Sequence, residues 1–277
     1  MYVPALGQDF GWKITNQGTT RPSTTAIGTQ TTPAQNSKGS WATCFSAIAQ
    51  DACGILIDIN AANGANRDLL MDIGVDEAGG SSYEVKIPDL LGSMAITPNK
   101  GGIFYYFPLK IRAGSNIVAR SSVNNATVGT ANVFITLFGQ PKNPEACKTI
   151  SKVTAFGVTA ASSNGTSITP GTTSEGSWTS IGTTSTPLWW WQQGFGFDIT
   201  SSGDRAYALD MAVGDGSNKD VVITDQYWGC DTTNRLNNFP AIWGCERWVP
   251  SSTGLYVRAQ CSGSLNSGYS AIVYGGA

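Results

Sequence analysis

Four aspartates stand in stretches whose apolar residues otherwise alternate like those of β-strands, and they are the first candidates for chemistry. They are Asp58, Asp72, Asp198 and Asp210. Aspartate is disfavoured in strands, so each of them needs a physical reason to be there. Two carboxylates can act as acid and nucleophile in glycoside hydrolysis, and carboxylate oxygens can also bind calcium.

Two of these aspartates have an arginine five residues before them: Arg67 before Asp72, and Arg205 before Asp210. An ion pair, or simple exposure to solvent, explains this pattern without catalysis. Because the pattern occurs twice, we interpret it as structural, since a stabilising pair is copied together with its fold. We therefore predict no catalytic residue, no metal site and no cofactor. The enzymatic alternative is a polysaccharide depolymerase acting through Asp58 and Asp72.

The composition excludes several classes of function. The chain of 277 residues contains no histidine, which removes Ser-His-Asp and Cys-His catalysis and His-ligated metals. Only 13% of the residues are charged and the net charge is −2, so we expect neither a nucleic-acid nor a membrane partner. The apolar runs are too short to span a bilayer, and the first ten residues do not resemble a signal peptide.

The cysteines leave two alternatives open. None of them forms a CxxC motif, so a zinc or redox site is not indicated. Cys44 and Cys53 are nine residues apart, and Cys230 and Cys245 are fifteen apart, so each pair could close a local disulfide. A protein made in a cytosol would instead keep them as buried thiols.

The sequence contains an internal repeat. Residues 28–41, GTQTTPAQNSKGSW, match residues 165–178, GTSITPGTTSEGSW, at eight of fourteen positions, among them Trp41 and Trp178. Further matches follow downstream, such as NRDLLMDIGV with DRAYALDMAVG and LKIRAGS with LYVRAQCSGS, which pairs Arg112 with Arg258. Each copy is long enough to bury its own core, so we interpret the match as a duplicated domain.

Strands are the elements that must position these residues. In LLMDIGVDE and ALDMAVGDG every second residue is apolar, and other short β-branched or aromatic runs are bounded by Gly, Asn, Ser or Pro. The pattern predicts an all-β protein of two tandem antiparallel β-sandwiches of jelly-roll type. We expect an arm at 1–12, one sandwich at 13–141, a linker at 142–151 and a second sandwich at 152–277.

Aromatic residues are the candidates for contacts with other molecules. The second copy contains Trp189, Trp190 and Trp191 in a row, and alternation indicates that at least one of them points outward. Such rings can fill a core, anchor a protein interface or stack on a sugar. We predict subunit contacts at this cluster and in the arm; the arm residues are Tyr2, Phe10 and Trp12.

Several of these stretches carry a resemblance to a known family. The series GILIDIN, NRDLLMDIGV, EVKIPDLL, YYFPLKIRAGSNIVAR and VFITLFGQP resembles a family of structural proteins from tailed bacteriophage virions, most closely over residues 37–141. The second copy is a diverged version of the first. The resemblance implies a non-enzymatic virion component, assembled in the bacterial cytoplasm, and it supplies no catalytic residues.

The expected partners follow from this interpretation. We expect contacts with other virion proteins and a homo-oligomer, with a trimer favoured because three two-domain chains present six similar domains. The alternative is a glycan- or receptor-binding module of a tail fibre, which would use the tryptophans of the second copy to bind a host surface glycan.

Overall fold

The computed structural model describes residues 14–17, 28–62, 67–94, 103–124, 129–139, 148–163, 165–197, 205–230, 246–262 and 269–277. For residues 60–62, 67–68, 93–94, 194–197, 205, 228–230 and 269, the backbone is described and the side chain is not. The predicted arm contacts Tyr2, Phe10 and Trp12 lie outside these ranges. In the described part of the chain, no helix is long and apolar enough to cross a membrane.

The protein is all-β, as predicted. Within the described ranges, the first half contributes ten strands: β1 Ile14–Asn16, β2 Thr29–Thr31, β3 Ala34–Gln35, β4 Ala42–Phe45, β5 Ala52–Ala62, β6 Arg67–Asp76, β7 Glu84–Met94, β8 Ile103–Phe107, β9 Asn116–Val123 and β10 Thr130–Gly139. The second half contributes eight: β11 Val153–Phe156, β12 Thr166–Ile168, β13 Thr179–Thr183, β14 Trp190–Phe197, β15 Arg205–Gly214, β16 Lys219–Cys230, β17 Gly254–Cys261 and β18 Tyr269–Gly276. We call these halves unit 1 and unit 2.

Unit 1 is a jelly roll. Sheet I has the order β1-β10-β5-β8, with β2 on the same edge of β10 as β1, and sheet II has the order β3-β9-β6-β7, with β4 also on β9. When β1 and β2 count as one first strand and the short β3 is set aside, the eight strands in chain order give sheets 1-8-3-6 and 2-7-4-5. This is two Greek keys wrapped into one sandwich. Ladders are antiparallel except for the short β3–β9 pair.

Unit 2 repeats this order. Sheet III pairs β18 with β14 on one side and with β11 and β12 on the other, and sheet IV has the order β13-β17-β15-β16. These sheets correspond to sheets I and II, although β8 has no counterpart within the described residues and the short β3 is matched only by the isolated parallel bridge between Gly171 and Gln260. The repeated topology supports the predicted duplication.

The backbone conformation explains why both repeated stretches begin with glycine. Gly28 and Gly165, which open the two matched stretches, have φ of 82° and 96°, in the left-handed region that favours glycine. A Cβ on Gly28 would lie 2.2 Å from the Val133 carbonyl oxygen, and one on Gly165 would lie 2.7 Å from that of Ala271. Each glycine therefore lets the chain pass close to the last strand of its own unit.

The two units share a buried contact. Tyr274 on β18 is 0% exposed; its hydroxyl accepts a hydrogen bond from the Leu91 N–H (2.7 Å) and donates one to the Asp89 carbonyl (2.9 Å), both on β7. Its ring lies edge-on to Tyr105 and Phe107 of β8, with centroids 5.5 and 6.2 Å away. The outer face of sheet III therefore packs on the β7–β8 side of unit 1.

The connection between the units is also packed. Residues 142–147 of the predicted linker lie outside the described ranges, but Ile150 is fully buried. Its N–H donates to the Pro108 carbonyl (2.7 Å), and its own carbonyl accepts from the Lys110 N–H (3.1 Å). The end of the linker is thus fixed to unit 1, and one continuous set of buried apolar residues runs through both units.

Candidate functional site

The outer face of sheet II carries a buried cluster of charges. Asp72 on β6 is 3% exposed and lies directly opposite Arg120 on β9, whose Nε donates to Asp72 Oδ2 (2.9 Å). The Lys38 ammonium lies 2.8 Å from Asp72 Oδ1 and 2.7 Å from Asp89 Oδ1. Two carboxylates are therefore balanced by two cations.

The backbone around Asp89 brings its carboxylate into this cluster. Asp89 has a φ of 52°, and its N–H donates to Asp72 Oδ1 (3.0 Å) at an irregularity in the β6–β7 ladder. Aspartate tolerates the left-handed region better than most residues because its short side chain can hydrogen-bond locally. Arg120 also lies 4.3 Å above the Trp41 ring, a cation–π contact that covers the outer side of the cluster.

Unit 2 builds the same cluster with one change. Asp210 on β15 faces Arg258 on β17, which donates to Asp210 Oδ2 from Nε (2.8 Å) and Nη2 (2.6 Å). Asp225, with a φ of 49°, donates its N–H to Asp210 Oδ1 (2.8 Å). Arg258 lies 4.5 Å above the Trp178 ring. The repeated Trp41 and Trp178 of the sequence are therefore explained by their arginines.

The change is at the position of Lys38, where unit 2 has Glu175. Glu175, Asp210 and Asp225 each present a carboxylate oxygen within 4.8 Å of the other two. Burial, followed by the negative charge of Asp210, raises the pKa of the Glu175 carboxyl. A third carboxylate thus stands where unit 1 has an ammonium.

The ion pairs correct two sequence assignments. Asp72 and Asp210 are paired with Arg120 and Arg258 on the neighbouring strands. The backbone places Arg67 and Arg205 five positions before these aspartates on the same strand, a separation of about 16 Å, and their side chains lie outside the described residues. The pairing of Arg112 with Arg258 was also wrong, because the strand register places Arg120 at that position.

The carboxylates of the enzymatic alternative are not brought together. Asp58 lies on the outer face of sheet I and Asp72 on the outer face of sheet II, with the core between them, and sheets in a sandwich are about 10 Å apart before side chains extend outward. Glycoside hydrolysis needs carboxylates about 5–10 Å apart. Burial raises the pKa of Asp58 to about 6, and its Oδ1 has no hydrogen-bond partner. Asp198 lies outside the described residues.

The tryptophan cluster is mostly buried. Trp190 and Trp191 are 2% and 1% exposed, although successive strand residues point to opposite faces, and Trp189 is half-buried. Both faces of β14 are therefore covered here, and the prediction that this cluster contacts other subunits is wrong for Trp190 and Trp191. Trp190 lies edge-on to Tyr106 of unit 1, with centroids 6.1 Å apart, so it serves the interface within the chain.

Of the two alternatives for Cys44 and Cys53, the structure shows buried thiols and no disulfide. Cys44 and Cys53 are buried thiols that donate to different carbonyls, Cys44 to Ala42 (3.9 Å) and Cys53 to Gly139 (3.4 Å). Burial raises the pKa of the Cys44 thiol to about 12, which makes it a poor nucleophile. The Cys230 side chain and Cys245 lie outside the described residues.

Comparison with known proteins gives structural likenesses only. No family model and no curated protein matches the chain. The tandem CBM22-1–CBM22-2 domain of Paenibacillus barcinonensis Xyn10C is 12% identical, with 96% of this chain and 91% of that chain covered and a TM-score of 0.28. The STIV MCP is 8% identical (95% and 96%, TM-score 0.35), and the infectious bursal disease virus VP2 subviral particle is 11% identical (97% and 73%, TM-score 0.21). At these TM-scores the likenesses carry no argument about function, and the jelly-roll assignment rests on the strand order.

Proposed function

We propose that this protein is a non-enzymatic structural component of a virus particle, and that it assembles head to tail with copies of itself. The observation that carries the proposal is the location of the large exposed apolar side chains among the described residues. They lie on the two surfaces that correspond to the buried contact between unit 1 and unit 2.

The first of these surfaces is the outer face of sheet I. Its counterpart, the outer face of sheet III, is covered by unit 1. Thr136 takes the position of Tyr274, since each lies three residues after the carbonyl that faces Gly28 or Gly165. Phe104 of β8 is 36% exposed on this face, and Ile14 of β1 is 57% exposed at its edge.

The second surface is β16, the counterpart of β7. Tyr227 takes the position of Leu91, because each lies two residues after the left-handed aspartate of its unit. Leu91 is fully buried and its N–H donates to Tyr274 of unit 2, whereas Tyr227 is 73% exposed. Val221 on the same strand is 38% exposed. Trp248, 63% exposed, is held beside this strand by the ion pair of its neighbour Arg247 with Asp220.

A second copy fits both surfaces at once. If β16 of one chain packs on sheet I of the next, the contact inside the chain is repeated between chains. Such a head-to-tail contact closes into a ring when its rotation is right, and a trimer then presents six similar units. Clustered exposed aromatic residues are typical of protein interfaces.

The resemblance to tailed-phage structural proteins extends the proposal to the particle. We propose a position at the neck, collar or tail, or on the capsid surface, where the chain contacts other virion proteins. Labelling intact particles with an antibody against this protein tests that position. Glycan binding through Trp189 and Trp191 is not favoured, because Trp191 is buried.

Two single-charge variants test the head-to-tail contact. Tyr227→Asp and Phe104→Asp each place a carboxylate on one surface, while Ala49→Asp adds the same charge at an exposed loop residue outside both. Light scattering after size exclusion should show oligomers for the wild type and Ala49→Asp, and monomers for the other two. Circular dichroism checks that each variant is folded.

Mixing the two monomeric variants makes the test specific. Each retains one intact surface, so an equimolar mixture should form a 1:1 dimer and nothing larger. A symmetric interface, in which both chains use the same surface, predicts no such dimer and would overturn the head-to-tail contact. A wild type that remains monomeric at high concentration would overturn the proposed assembly.

A further inference from the structure

The acidic cluster of unit 2 differs from its counterpart in unit 1 by a single substitution that reverses a charge. Lys38 and Glu175 are equivalent because the residues that follow them make the same bonds. The Gly39 N–H donates to the Ser121 carbonyl, and the Gly176 N–H donates to the Ala259 carbonyl, both at 2.9 Å. The two side chains therefore leave the backbone at the same place and enter the same cluster.

In unit 1 this place is filled by a cation. The Lys38 ammonium contacts Asp72 Oδ1 at 2.8 Å and Asp89 Oδ1 at 2.7 Å, and it donates to the Leu70 carbonyl at 3.2 Å. Three oxygens from two strands thus surround one positive charge. Their counterparts in unit 2 are Asp210, Asp225 and the carbonyl of Ala208.

The charges balance in unit 1 and fail to balance in unit 2. Asp72, Asp89, Lys38 and Arg120 sum to zero. Among the described side chains of unit 2, the three carboxylates have Arg258 as their cation, so the sum is −2. Asp210 is 3% exposed, and the Oε2 of Glu175 is buried without a hydrogen-bond partner, 3.9 Å from Arg258 Nε. Asp225 is exposed and Glu175 is half-buried, so the cost falls mainly on Asp210 and on the enclosed Glu175 Oε2. A buried carboxylate oxygen without a compensating cation is costly, so this arrangement favours a positive ligand.

We propose that unit 2 binds one divalent cation, Ca²⁺, between Glu175, Asp210 and Asp225, in the place that the Lys38 ammonium occupies in unit 1. A charge of +2 restores the neutrality of the cluster. The available donors are all oxygens, which suits a hard cation, and Ca²⁺ accepts carboxylates, a backbone carbonyl and water in an irregular shell. The site amends the sequence-based expectation that the protein has no metal.

Terbium luminescence provides a direct readout of the site. Tb³⁺ substitutes for Ca²⁺ at oxygen sites, and Trp178, next to Arg258, is close enough to sensitise it. The wild type should bind one Tb³⁺ per chain, displaced by Ca²⁺. Ca²⁺ should also raise the melting temperature above that in EDTA, by about 5 °C at a hundredfold excess over Kd.

Two charge exchanges between the units sharpen the test. Glu175→Lys places an ammonium group in unit 2 where unit 1 has Lys38. It should therefore abolish Tb³⁺ luminescence and make the melting temperature insensitive to Ca²⁺. Lys38→Glu creates in unit 1 the three carboxylates found in unit 2, so it should raise the number of Tb³⁺ ions bound per chain to two. Glu175→Gln, which changes the shape least, should weaken binding at least tenfold and replaces Glu175→Lys if that variant does not fold.

The proposal is overturned if the melting temperature of the wild type is the same in EDTA and in about 10 mM Ca²⁺, a concentration about tenfold above the weak limit of about 1 mM for extracellular calcium modules. It is also overturned if Glu175→Lys and Glu175→Gln both bind Tb³⁺ as the wild type does. In that case the cluster is protonated or solvated by water, or the ion lies elsewhere.

Discussion

The hydroxyl of Tyr274 offers a direct measurement of how strongly the two units hold each other. Tyr274→Phe removes one oxygen and leaves the ring against Tyr105 and Phe107. That oxygen is bonded to the Leu91 N–H and the Asp89 carbonyl, and the residue is 0% exposed. The substitution therefore leaves two buried backbone groups without this partner, in a place that water does not reach.

The expected loss follows from those two groups. A buried donor or acceptor left without a partner costs about 1–3 kcal/mol, so two of them cost about 2–6 kcal/mol in free energy of unfolding. The control is Tyr256→Phe, which removes a hydroxyl from a half-buried ring on β17 within unit 2. A substitution of that kind should change the free energy by less than about 0.5 kcal/mol.

Urea unfolding, followed by tryptophan fluorescence, measures both variants. With a slope of about 3 kcal/mol per molar urea, a loss of 3 kcal/mol lowers the midpoint by about 1 M. The measurement is made in the Tyr227→Asp background so that assembly does not contribute. A midpoint for Tyr274→Phe within about 0.2 M of its parent would refute the assignment of this hydroxyl as the anchor between the units.

Two further predictions concern buried carboxylates. Because burial raises the folded-state pKa of Asp58 to about 6 from an unfolded value near 4, its protonation stabilises the fold below pH 4, and this contribution is lost as the pH rises through 6. Asp58→Asn should therefore gain about 2 kcal/mol over the wild type at pH 7.5 and almost nothing at pH 4; a gain independent of pH in urea melts would contradict this reasoning. Asp72→Asn should lower the free energy of unfolding by about 3 kcal/mol, because it removes the buried negative charge that pairs with Lys38 and Arg120. The control is Glu84→Gln, whose side chain is 54% exposed and whose loss should be less than about 0.5 kcal/mol. Equal losses for these two in thermal melts would show that burial is not the deciding factor.

Much of the fold was predictable because its evidence is local. Alternating apolar residues identify strands, and the repeated GTxxTP stretch with its tryptophan identifies two copies of one unit. The all-β class and the jelly-roll type are confirmed. The expected homo-oligomer and the absence of catalysis stay predictions.

The charged clusters were predictable only in part, because the sequence of one strand does not determine which residues of the neighbouring strand lie opposite it. The sequence indicated that Asp72 and Asp210 needed partners, and we assigned them the arginines five residues earlier, Arg67 and Arg205. The actual partners lie 48 residues away, on the strands that happen to be neighbours. The contribution of Asp89 and Asp225 was missed because it depends on a left-handed residue at a ladder irregularity.

The tryptophans were mispredicted for a different reason. Alternation gives one buried and one exposed face only when a sheet faces water on one side. β14 has unit 1 on its other side, so Trp190 and Trp191 are both buried. Nothing within unit 2 alone could have indicated this.

The contact between Tyr274 and β7 joins residues 183 positions apart, and this sets an order of events during synthesis. At about 5–20 residues per second, a ribosome needs roughly 10–40 s to make the intervening chain. For that time the Leu91 N–H lacks the Tyr274 hydroxyl, and the rings of Tyr105 and Phe107 lack the Tyr274 ring. The first jelly roll is thus completed only by the second, so a newly made chain cannot offer a finished half to its neighbours.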